Sequence, residues 1–293
     1  MLAFQDEDSK TSSSRVAARL HTGEVDTSEM YFVGANTCLP ERKRPGLHIS
    51  VLPNELLLLI FRFVISTELD FKSIESMAGV CKWFYNLART PQLWKAACVR
   101  IWPDVTEKPQ VVRWREMFIS KPHLRFDGVY VNRIKYHRLG EQRPNHCCTL
   151  QTVFYYRFLR FFSDGLVIGL TSTSPPQQIV STLKDRASSN KDVMYGKFTI
   201  SGDIVNLALY RRDKSSRSHF HIQLKPECSY NIKLKIVHKH GRQTLHWLEY
   251  YTITKKKNNV TTKNSIELEP PHFCKSYVFG RVKSYSAMSV GTI

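Results

Sequence analysis

The stretch LPNELLLLIFRF, residues 52–63, decides the fold of the first half of this chain. We predict a helix that begins at Pro53, because a proline at the first helical position loses no hydrogen bond. Glu55 then lies where a negative charge meets the positive end of the helix dipole. Only Arg62 interrupts the apolar run that follows. A helix that is apolar nearly all round must be covered on several sides, so we expect its own domain to cover one part and another protein the rest.

Helical patterns continue as far as Ser120. Apolar residues recur at helical spacing in three further segments before residue 102; Asp70 can cap the first of these and Pro91 can begin the last. We predict one more helix from about Pro109, ended by Lys121-Pro122. These signals indicate a small all-α module.

Beyond Pro122 the apolar pattern changes to that of β-strands. Asp164-Gly165 and Gly202-Asp203 each separate two β-branched and aromatic runs, which is a strong signal for a hairpin. We predict about ten strands, the last at Tyr277–Tyr285, and one helical turn at Ile179–Leu183. Such a meander either closes into a barrel or curls into a sandwich, and the consecutive hairpins favour an antiparallel β-barrel of lipocalin-like size.

The predicted fold class is therefore α+β, with several domains. Residues 1–47 are polar and rich in Ser and Thr, and we predict a disordered N-terminal arm there. Residues 48–102 form the helical module, residues 103–121 a helical linker, and residues 122–293 the β-rich domain. The chain of 293 residues is long enough for this division.

Composition excludes several classes of protein. The seven cysteines are scattered and include no CxxC pair, which predicts free thiols in a reducing compartment. We expect no signal peptide, and the longest apolar run, Leu56–Phe61, is too short to span a membrane. The net charge is +18, and residues 122–293 carry most of it, with 27 Lys and Arg against 11 Asp and Glu. A basic balance of this kind favours acidic partners.

We predict no metal, no cofactor and no catalytic site. His146-Cys147-Cys148 is the one His/Cys cluster in the sequence, and no second pair of ligands lies at a spacing that structural zinc requires. We therefore interpret it as an ordinary loop. The sequence contains no GxSxG, HExxH, phosphate-binding-loop or dinucleotide-binding motif.

The helical module resembles an F-box from end to end. The matching positions keep the order and spacing of that family: Leu52-Pro53, Glu55-Leu56-Leu57, Ile60-Phe61, Val80-Cys81, Phe84, Leu87-Ala88, Pro91 and Leu93-Trp94. The resemblance implies a three-helix module that docks on the Skp adaptor of a cullin–RING ubiquitin ligase.

Segments after the module are similar to the region that follows the F-box in the family of F-box only protein 9. They are WREMF at 114–118, RFDGVYV at 125–131, YYRFLRFFSDG at 155–165 and the closing RVKSYSA. In that family a helical tetratricopeptide-like segment commonly precedes the F-box, and residues 1–47 are too short and too polar to hold one.

Exposed apolar residues on a small helical module usually mark an interaction site. Our candidates for contact with the adaptor are the apolar residues of the F-box positions, with Leu93 and Trp94 as anchors: Leu52, Pro53, Leu56, Leu57, Ile60, Phe61, Val80, Cys81, Leu93 and Trp94. The alternative is that these residues form the internal core of the module.

The β-rich domain offers basic residues for substrate binding. Arginine pairs well with phosphate, so these residues could form a patch for acidic or phosphorylated substrates, or they could be solvated loops: Arg211, Arg212, Lys214, Arg217, Lys255, Lys256 and Lys257. Neighbouring aromatic residues also leave open a nucleic-acid-binding protein whose helical region is only structural. Affinity that falls steeply with salt would distinguish that alternative.

We expect a non-catalytic substrate receptor of an SCF-type ubiquitin ligase that presents targets for ubiquitination and proteasomal degradation. Its partners would be the Skp adaptor, through it cullin and RING subunits, and protein substrates, with no membrane and no nucleic acid. We expect it in the cytoplasm, with nuclear entry also open. A further alternative is an F-box protein that acts outside a ligase.

Overall fold

The structure is a computed structural model, and it describes residues 48–103, 113–139, 150–212, 224–239, 241–255, 261–266 and 276–287. A short 3-10 turn at Ile49–Val51 leads into the helices of the first module. Their bounds are α1 Asn54–Ile65, α2 Phe71–Ala78, α3 Lys82–Ala88, α4 Pro91–Ile101 and α5 Trp114–Ser120.

Local sequence signals account for most of these helix ends. Asp70 caps α2, because its Oδ1 accepts a hydrogen bond from the backbone N–H of Ser73 at 3.2 Å. Pro91 is the first residue of α4, as predicted. Pro53 differs from the prediction: its extended backbone (ψ 156°) makes it the N-cap, and α1 begins one residue later. Pro109, where we expected α5 to begin, lies outside the described residues.

The second part of the chain consists mainly of antiparallel strands. Their bounds are β1 Gly128–Leu139, β2 Leu150–Phe161, β3 Leu166–Ser172, β4 Met194–Ser201, β5 Ile204–Arg212, β6 Leu224–Lys239, β7 Arg242–Lys255, β8 Thr261–Ser265 and β9 Tyr277–Arg281. Two short helices accompany them, α6 Pro176–Ile179 and α7 Lys283–Ala287.

The strands close into an eight-stranded antiparallel barrel. Strands β1 to β7 pair in sequence order, and β9 pairs with both β1 and β7, which completes the ring. Strand β8 extends the sheet beside the other end of β7. The barrel prediction and the mixed α+β class are thus confirmed. The two predicted hairpins also form, and Gly165 and Gly202 adopt the positive φ that their turns require.

One prediction about the later segments was wrong in detail. The predicted strand Tyr277–Tyr285 ends at Arg281, and Tyr285 lies in α7 instead. The cause is a tertiary contact: the Tyr285 hydroxyl donates to the carbonyl of Val180 at 2.7 Å, and the side chain is buried. The predicted helical turn at Ile179–Leu183 is present, because the N–H of Leu183 donates to the carbonyl of Ile179 at 3.2 Å, and it follows directly from α6.

A continuous hydrophobic core runs from the helices into the barrel. Trp94 stacks on Phe71 with ring centroids 4.3 Å apart, and Phe118 of α5 packs against both. Inside the barrel, Tyr130 and Phe161 meet edge to face at 5.4 Å. A separate cluster lies between the outer face of β2 and β3 and the segment after β3, where Leu183 and other apolar residues cover them.

The junction between the helical module and the barrel also contains buried ion pairs. Arg160 of β2 is 1 % exposed and contacts Glu68, with 3.2 Å between Nη2 and Oε1. The same guanidinium donates to the carbonyls of Leu183 and Lys184. Its carbon atom Cζ lies 3.7 Å from the centre of the Tyr285 ring. Burial raises the pKa of Glu68, and the attraction of Arg160 opposes that rise.

A second buried pair lies beside the first. The Nη2 of Arg281 donates to both carboxylate oxygens of Asp70, at 2.8 and 2.5 Å, and to the hydroxyl of Ser73 at 2.7 Å. Burial alone would raise the pKa of Asp70, but the hydrogen bonds from Arg281 and Ser73 outweigh it and hold that pKa below its ordinary value. Arg281 also approaches Asp127, with 3.3 Å between Nε and Oδ2. These contacts fix the module on the barrel.

Candidate adaptor interface

Helix α1 has two apolar faces with different surroundings. One face, formed by Leu57, Phe61 and Ile65, is completely buried. The opposite face carries four large apolar side chains that are each between 37 % and 53 % exposed: Leu56, Leu59, Ile60 and Phe63. These four follow the spacing i, i+3, i+4, i+7, so they form one line along the helix. We call them the apolar stripe.

The segment before α1 adds to the exposed apolar surface. Ile49 and Val51 of the 3-10 turn are exposed, and so is Pro53, whereas Leu52 is half-buried. Exposed apolar side chains that are contiguous in this way are uncommon on proteins that act alone. The beginning of the module therefore has the character of a protein-binding surface.

Residues at the start of α3 lie beside the start of α1. The indole Nε1 of Trp83 donates to Asn54 Oδ1 at 3.0 Å, which joins the first turns of the two helices. Val80 is 68 % exposed and Cys81 is half-buried. The Cys81 sulfur accepts a hydrogen bond from the N–H of Phe84 at 3.5 Å, so it caps α3. Val80 and Cys81 remain candidates for adaptor contact.

Four of the predicted contact residues belong to the core and are removed from the candidate surface: Leu57, Phe61, Leu93 and Trp94. Each is 2 % exposed or less. Trp94 also uses its indole N–H internally, donating to the carbonyl of Ala88 at 2.9 Å. They are buried because the module must form its own core, and α1 and α4 each supply one face to it.

Two stripe residues, Leu59 and Phe63, were absent from the predicted contact set. The signal was available in the sequence, since both continue the spacing that starts at Leu56. Because nearly every position of α1 is apolar, the sequence alone did not distinguish the face that packs in the core from the face that remains exposed.

The basic substrate candidates are only partly described. Arg211, Arg212 and Lys255 are within the structure, whereas Lys214, Arg217, Lys256 and Lys257 lie outside the described residues. Arg212 donates to the carbonyl of Ser188 at 3.3 Å. The strand register through β6 places the ends of β5 and β7 at the same end of the barrel. Arg211 and Lys255, both exposed, therefore share that end.

The cysteines and the predicted His/Cys cluster are only partly described by the structure. His146-Cys147-Cys148 lies outside the described residues, and within those residues no group of three potential metal ligands occurs. Cys81, Cys98 and Cys228 are unpaired. Burial raises the pKa of the Cys98 thiol to about 11, which keeps it protonated and unreactive.

Among the helices that the structure describes, none has the length and apolar character needed to cross a membrane.

Comparison with known proteins agrees with this arrangement. Residues 49–100 match the family model "F-box-like", and residues 105–230 match "F-box only protein C-terminal region". The chain is 27 % identical over 256 residues to F-box protein pof7 of Schizosaccharomyces pombe, covering 83 % of this chain and 68 % of that protein. It is 26 % identical over 182 residues to F-box protein HRT3 of Saccharomyces cerevisiae, covering 59 % of this chain and 47 % of that protein.

The two family matches meet between α4 and α5. The first covers the 3-10 turn and nearly all of α1 to α4, including the apolar stripe, and the second runs from before α5 into β6. Together with the two relatives, they confirm the resemblance to the family of F-box only protein 9. The chain thus carries an F-box-like region followed by a region similar to the C-terminal part of F-box only proteins.

Proposed function

We propose that this chain is the substrate-recognition subunit of an SCF-type cullin–RING ubiquitin ligase. The observation that carries the proposal is the apolar stripe, which leaves four large side chains exposed on the first helix of an F-box. Burying such a patch against an adaptor would be favourable by roughly 25 cal/mol for each Å² of apolar surface removed from water. The stripe is thus suited to hold a Skp adaptor.

The chain would act by position and not by catalysis. An adaptor on the F-box would link the chain to cullin and RING subunits, and the barrel would hold the target protein. This arrangement raises the effective concentration of the target's lysines near the ubiquitin-carrying enzyme. The buried pairs of Glu68 with Arg160 and Asp70 with Arg281 would keep the two parts in one orientation. Ubiquitinated targets would pass to the proteasome, and we place this activity in the cytoplasm.

Substitution of the stripe tests the proposal. We expect Leu56→Asp combined with Ile60→Asp to weaken binding of a purified Skp adaptor by roughly 100-fold or more, the equivalent of about 3 kcal/mol. Because both side chains face solvent, the variant should keep its fold, which circular dichroism would verify. Ile119→Asp is the matched control, since Ile119 is an exposed isoleucine on α5 outside the stripe. A folded double variant that still captures the adaptor at wild-type affinity would refute the proposal.

The presence of cullin distinguishes a ligase subunit from an F-box protein that acts outside a ligase. We expect purification of the tagged full chain from cells to recover cullin and RING subunits with the adaptor. Recovery of the adaptor without cullin would favour the alternative. The Leu56→Asp, Ile60→Asp variant is the negative control for this comparison, because it should recover neither the adaptor nor cullin.

A further inference from the structure

The chain itself covers only part of the outer face that β1 and β2 present. Near the junction, apolar side chains of the segment after β3 pack against Val129 of β1 and Phe158 of β2: Ile179, Leu183 and Val193. Alternate residues of a strand point to the same face. The outer face therefore continues at every second position after Val129 and before Phe158.

Beyond the covered part, this face carries two cations beside an aromatic ring. Arg133 of β1 pairs directly with Tyr156 of β2, and Lys135 pairs with Phe154. Arg133, Lys135 and Phe154 are all exposed, whereas Tyr156 is half-buried. Charged and aromatic side chains thus lie next to each other on one uncovered surface.

Two valines extend the same surface with apolar groups. Val131 comes two residues before Arg133 and pairs directly with Val278 of β9, so both valines lie on the outer face. Val278 is 43 % exposed. We call the whole surface the outer patch: Val131, Arg133, Lys135, Phe154, Tyr156 and Val278.

The positive charge of the outer patch is not balanced by nearby acidic groups of the described strands. Strands β1, β2, β3 and β9 contain no Asp or Glu. Among the residues that the structure describes, neither Arg133 nor Lys135 forms an ion pair. The outer patch therefore attracts negatively charged partners.

Contact with Phe154 orders both cations in advance. The guanidinium carbon of Arg133 lies 4.7 Å from the centre of the Phe154 ring, and Lys135 Nζ lies 5.8 Å from it. A cation held in this way still offers N–H donors to a carboxylate. Because these side chains are already restrained, they lose less conformational freedom when a partner binds.

The spacing within the outer patch suits an extended polypeptide. Val131, Arg133 and Lys135 follow one another at every second position of β1, which separates them by roughly 6–7 Å. Alternate side chains of an extended peptide recur at the same spacing of roughly 6–7 Å. An apolar residue with carboxylates two and four positions away would therefore meet all three, in either chain direction.

The same features disfavour nucleic acid as the occupant. Bases stack on free aromatic faces, but the exposed ring of Phe154 is in contact with two cations. Proteins that bind the phosphate backbone usually neutralise several phosphates, and the outer patch offers two cations. Its valines suit an apolar side chain instead.

We propose that the outer patch binds an acidic segment of a partner protein. Two Asp or Glu residues of that segment, two positions apart, would contact Arg133 and Lys135, and an apolar residue two positions further would contact Val131 and Val278. This inference deepens the proposed function, on which its biological meaning rests, because the partner would then be the target protein. Binding itself can be measured with the purified full chain alone.

The test uses fluorescent peptides of Gly and Ser with blocked ends, each carrying one Leu and two Glu at the proposed spacing, in both orders. Anisotropy measures their binding to the full chain. For one order, we expect replacement of both Glu by Gln to weaken binding about tenfold. Moving the two Glu to adjacent positions should also weaken it, because adjacent side chains point to opposite faces.

Three results would overturn the proposal. The first is equal affinity for the Glu and Gln peptides, and the second is equal affinity for the spaced and adjacent arrangements. The third is tighter binding of a single-stranded oligonucleotide that carries the same number of charges, since this result would assign the outer patch to nucleic acid.

Variants assign the binding to the outer patch. Arg133→Gln combined with Lys135→Gln should weaken binding of the Glu peptide about tenfold or more. Lys197→Gln combined with Arg242→Gln is the matched control, because it removes the same residue types from exposed positions on β4 and β7; it should leave the affinity nearly unchanged. Phe154→Ala should weaken binding about two- to fivefold, through loss of the contact that orders the cations.

All the substituted side chains are exposed, so the variants should remain folded, which circular dichroism would verify. A folded Arg133→Gln, Lys135→Gln chain with wild-type affinity would contradict the assignment. An equal loss in the matched control would also contradict it, because net charge alone would then explain the binding.

The two proposals fail separately. The Leu56→Asp, Ile60→Asp chain should bind the Glu peptide as the wild type does, because the stripe and the outer patch are in different modules. Loss of peptide binding in this variant would contradict the assignment to the barrel. Adaptor binding without any peptide binding would overturn only the inference about the outer patch.

Discussion

Two surfaces of the F-box can be compared directly: the outward face of α1 and the face that meets the barrel. On the outward face, Leu56, Leu59, Ile60 and Phe63 leave apolar surface in water. At the junction, charged groups are buried instead, and Glu68 and Arg160 have side chains only 8 % and 2 % exposed. Each surface thus has groups outside their usual environment: apolar side chains in water on the first, and charged side chains buried at the second.

The difference follows from what each surface must do. Apolar surface associates without strict geometry, so it suits a partner that arrives from solution. A buried ion pair adds little net stability, because desolvation offsets the attraction, but it is satisfied in one arrangement only. We therefore interpret the stripe as the surface for association and the junction as the part that sets orientation.

The junction can be broken by Arg160→Met, for which we expect the largest effect. The substitution leaves Glu68 as a buried charge and removes the donor to the carbonyls of Leu183 and Lys184. The free energy of unfolding, measured with urea, should fall by about 3–5 kcal/mol.

Arg186→Met is the matched control for this experiment. Arg186 pairs with Asp164, but both side chains are more than 40 % exposed. Removal of this pair should therefore lower the free energy of unfolding by only about 0–1 kcal/mol. An Arg160→Met chain as stable as this control would show that the buried pair does not hold the junction.

Phenylalanines two residues apart on α1 sharpen the contrast between its faces. Phe61 is 0 % exposed and meets Phe84 edge to face at 5.5 Å, whereas Phe63 is 53 % exposed. Phe61→Ala should lower the free energy of unfolding by about 3–5 kcal/mol, and Phe63→Ala by about 0.5 kcal/mol or less. Phe63→Ala should nevertheless weaken adaptor binding. Equal losses of stability in the two variants would contradict the division of α1 into a core face and a stripe.

Lowering the pH should remove the contribution that ionised Asp70 makes to the stability of the folded protein. Its folded-state pKa lies below its ordinary value of 3.8, so its stabilising contribution is present above that pH and is lost as pH falls through the folded-state pKa. Asp70→Asn should cost about 1.5–3 kcal/mol near pH 7. The cost should shrink as urea unfolding is repeated at lower pH.

The raised pKa values of Glu68 and Asp127 act with the opposite sign, because a raised folded-state pKa favours the folded state in acid. These two groups are present in the wild type and in the Asp70→Asn variant, so their effects largely cancel in the difference. A difference that does not change with pH would show that Asp70 is not the titrating partner of Arg281.

The elements with local causes were predictable from the sequence. Asp70 caps α2, Pro91 begins α4, and the two turns that contain Gly165 and Gly202 separate paired strands. In each case the deciding residue is within a few positions of the structure that it produces. Tyr285 shows the limit of such local signals. The sequence around it predicts a strand, but it lies in α7, where it contacts Val180 and Arg160.

The sites were less predictable than the elements. The sequence indicated that α1 had more apolar surface than its own module could bury, and the stripe is that surplus. Which residues formed it depended on how α2 and α3 pack against α1. Likewise, Arg133 and Phe154 lie on different strands, and only the pairing of β1 with β2 brings them together in the outer patch.

The sequence by itself determined a helical module followed by an antiparallel barrel, because capping residues, turn glycines and apolar periods act over a few residues. The resemblance of its motifs to a known family identified that module as an F-box. The tertiary structure alone decided which face of α1 stays exposed, which charges are buried at the junction and which part of the outer face of β1 and β2 stays uncovered. Each of these depends on contacts between residues separated by tens to hundreds of positions, such as Asp70 and Arg281. Local patterns state how much apolar surface a helix carries, but only the packed chain determines what remains for a partner.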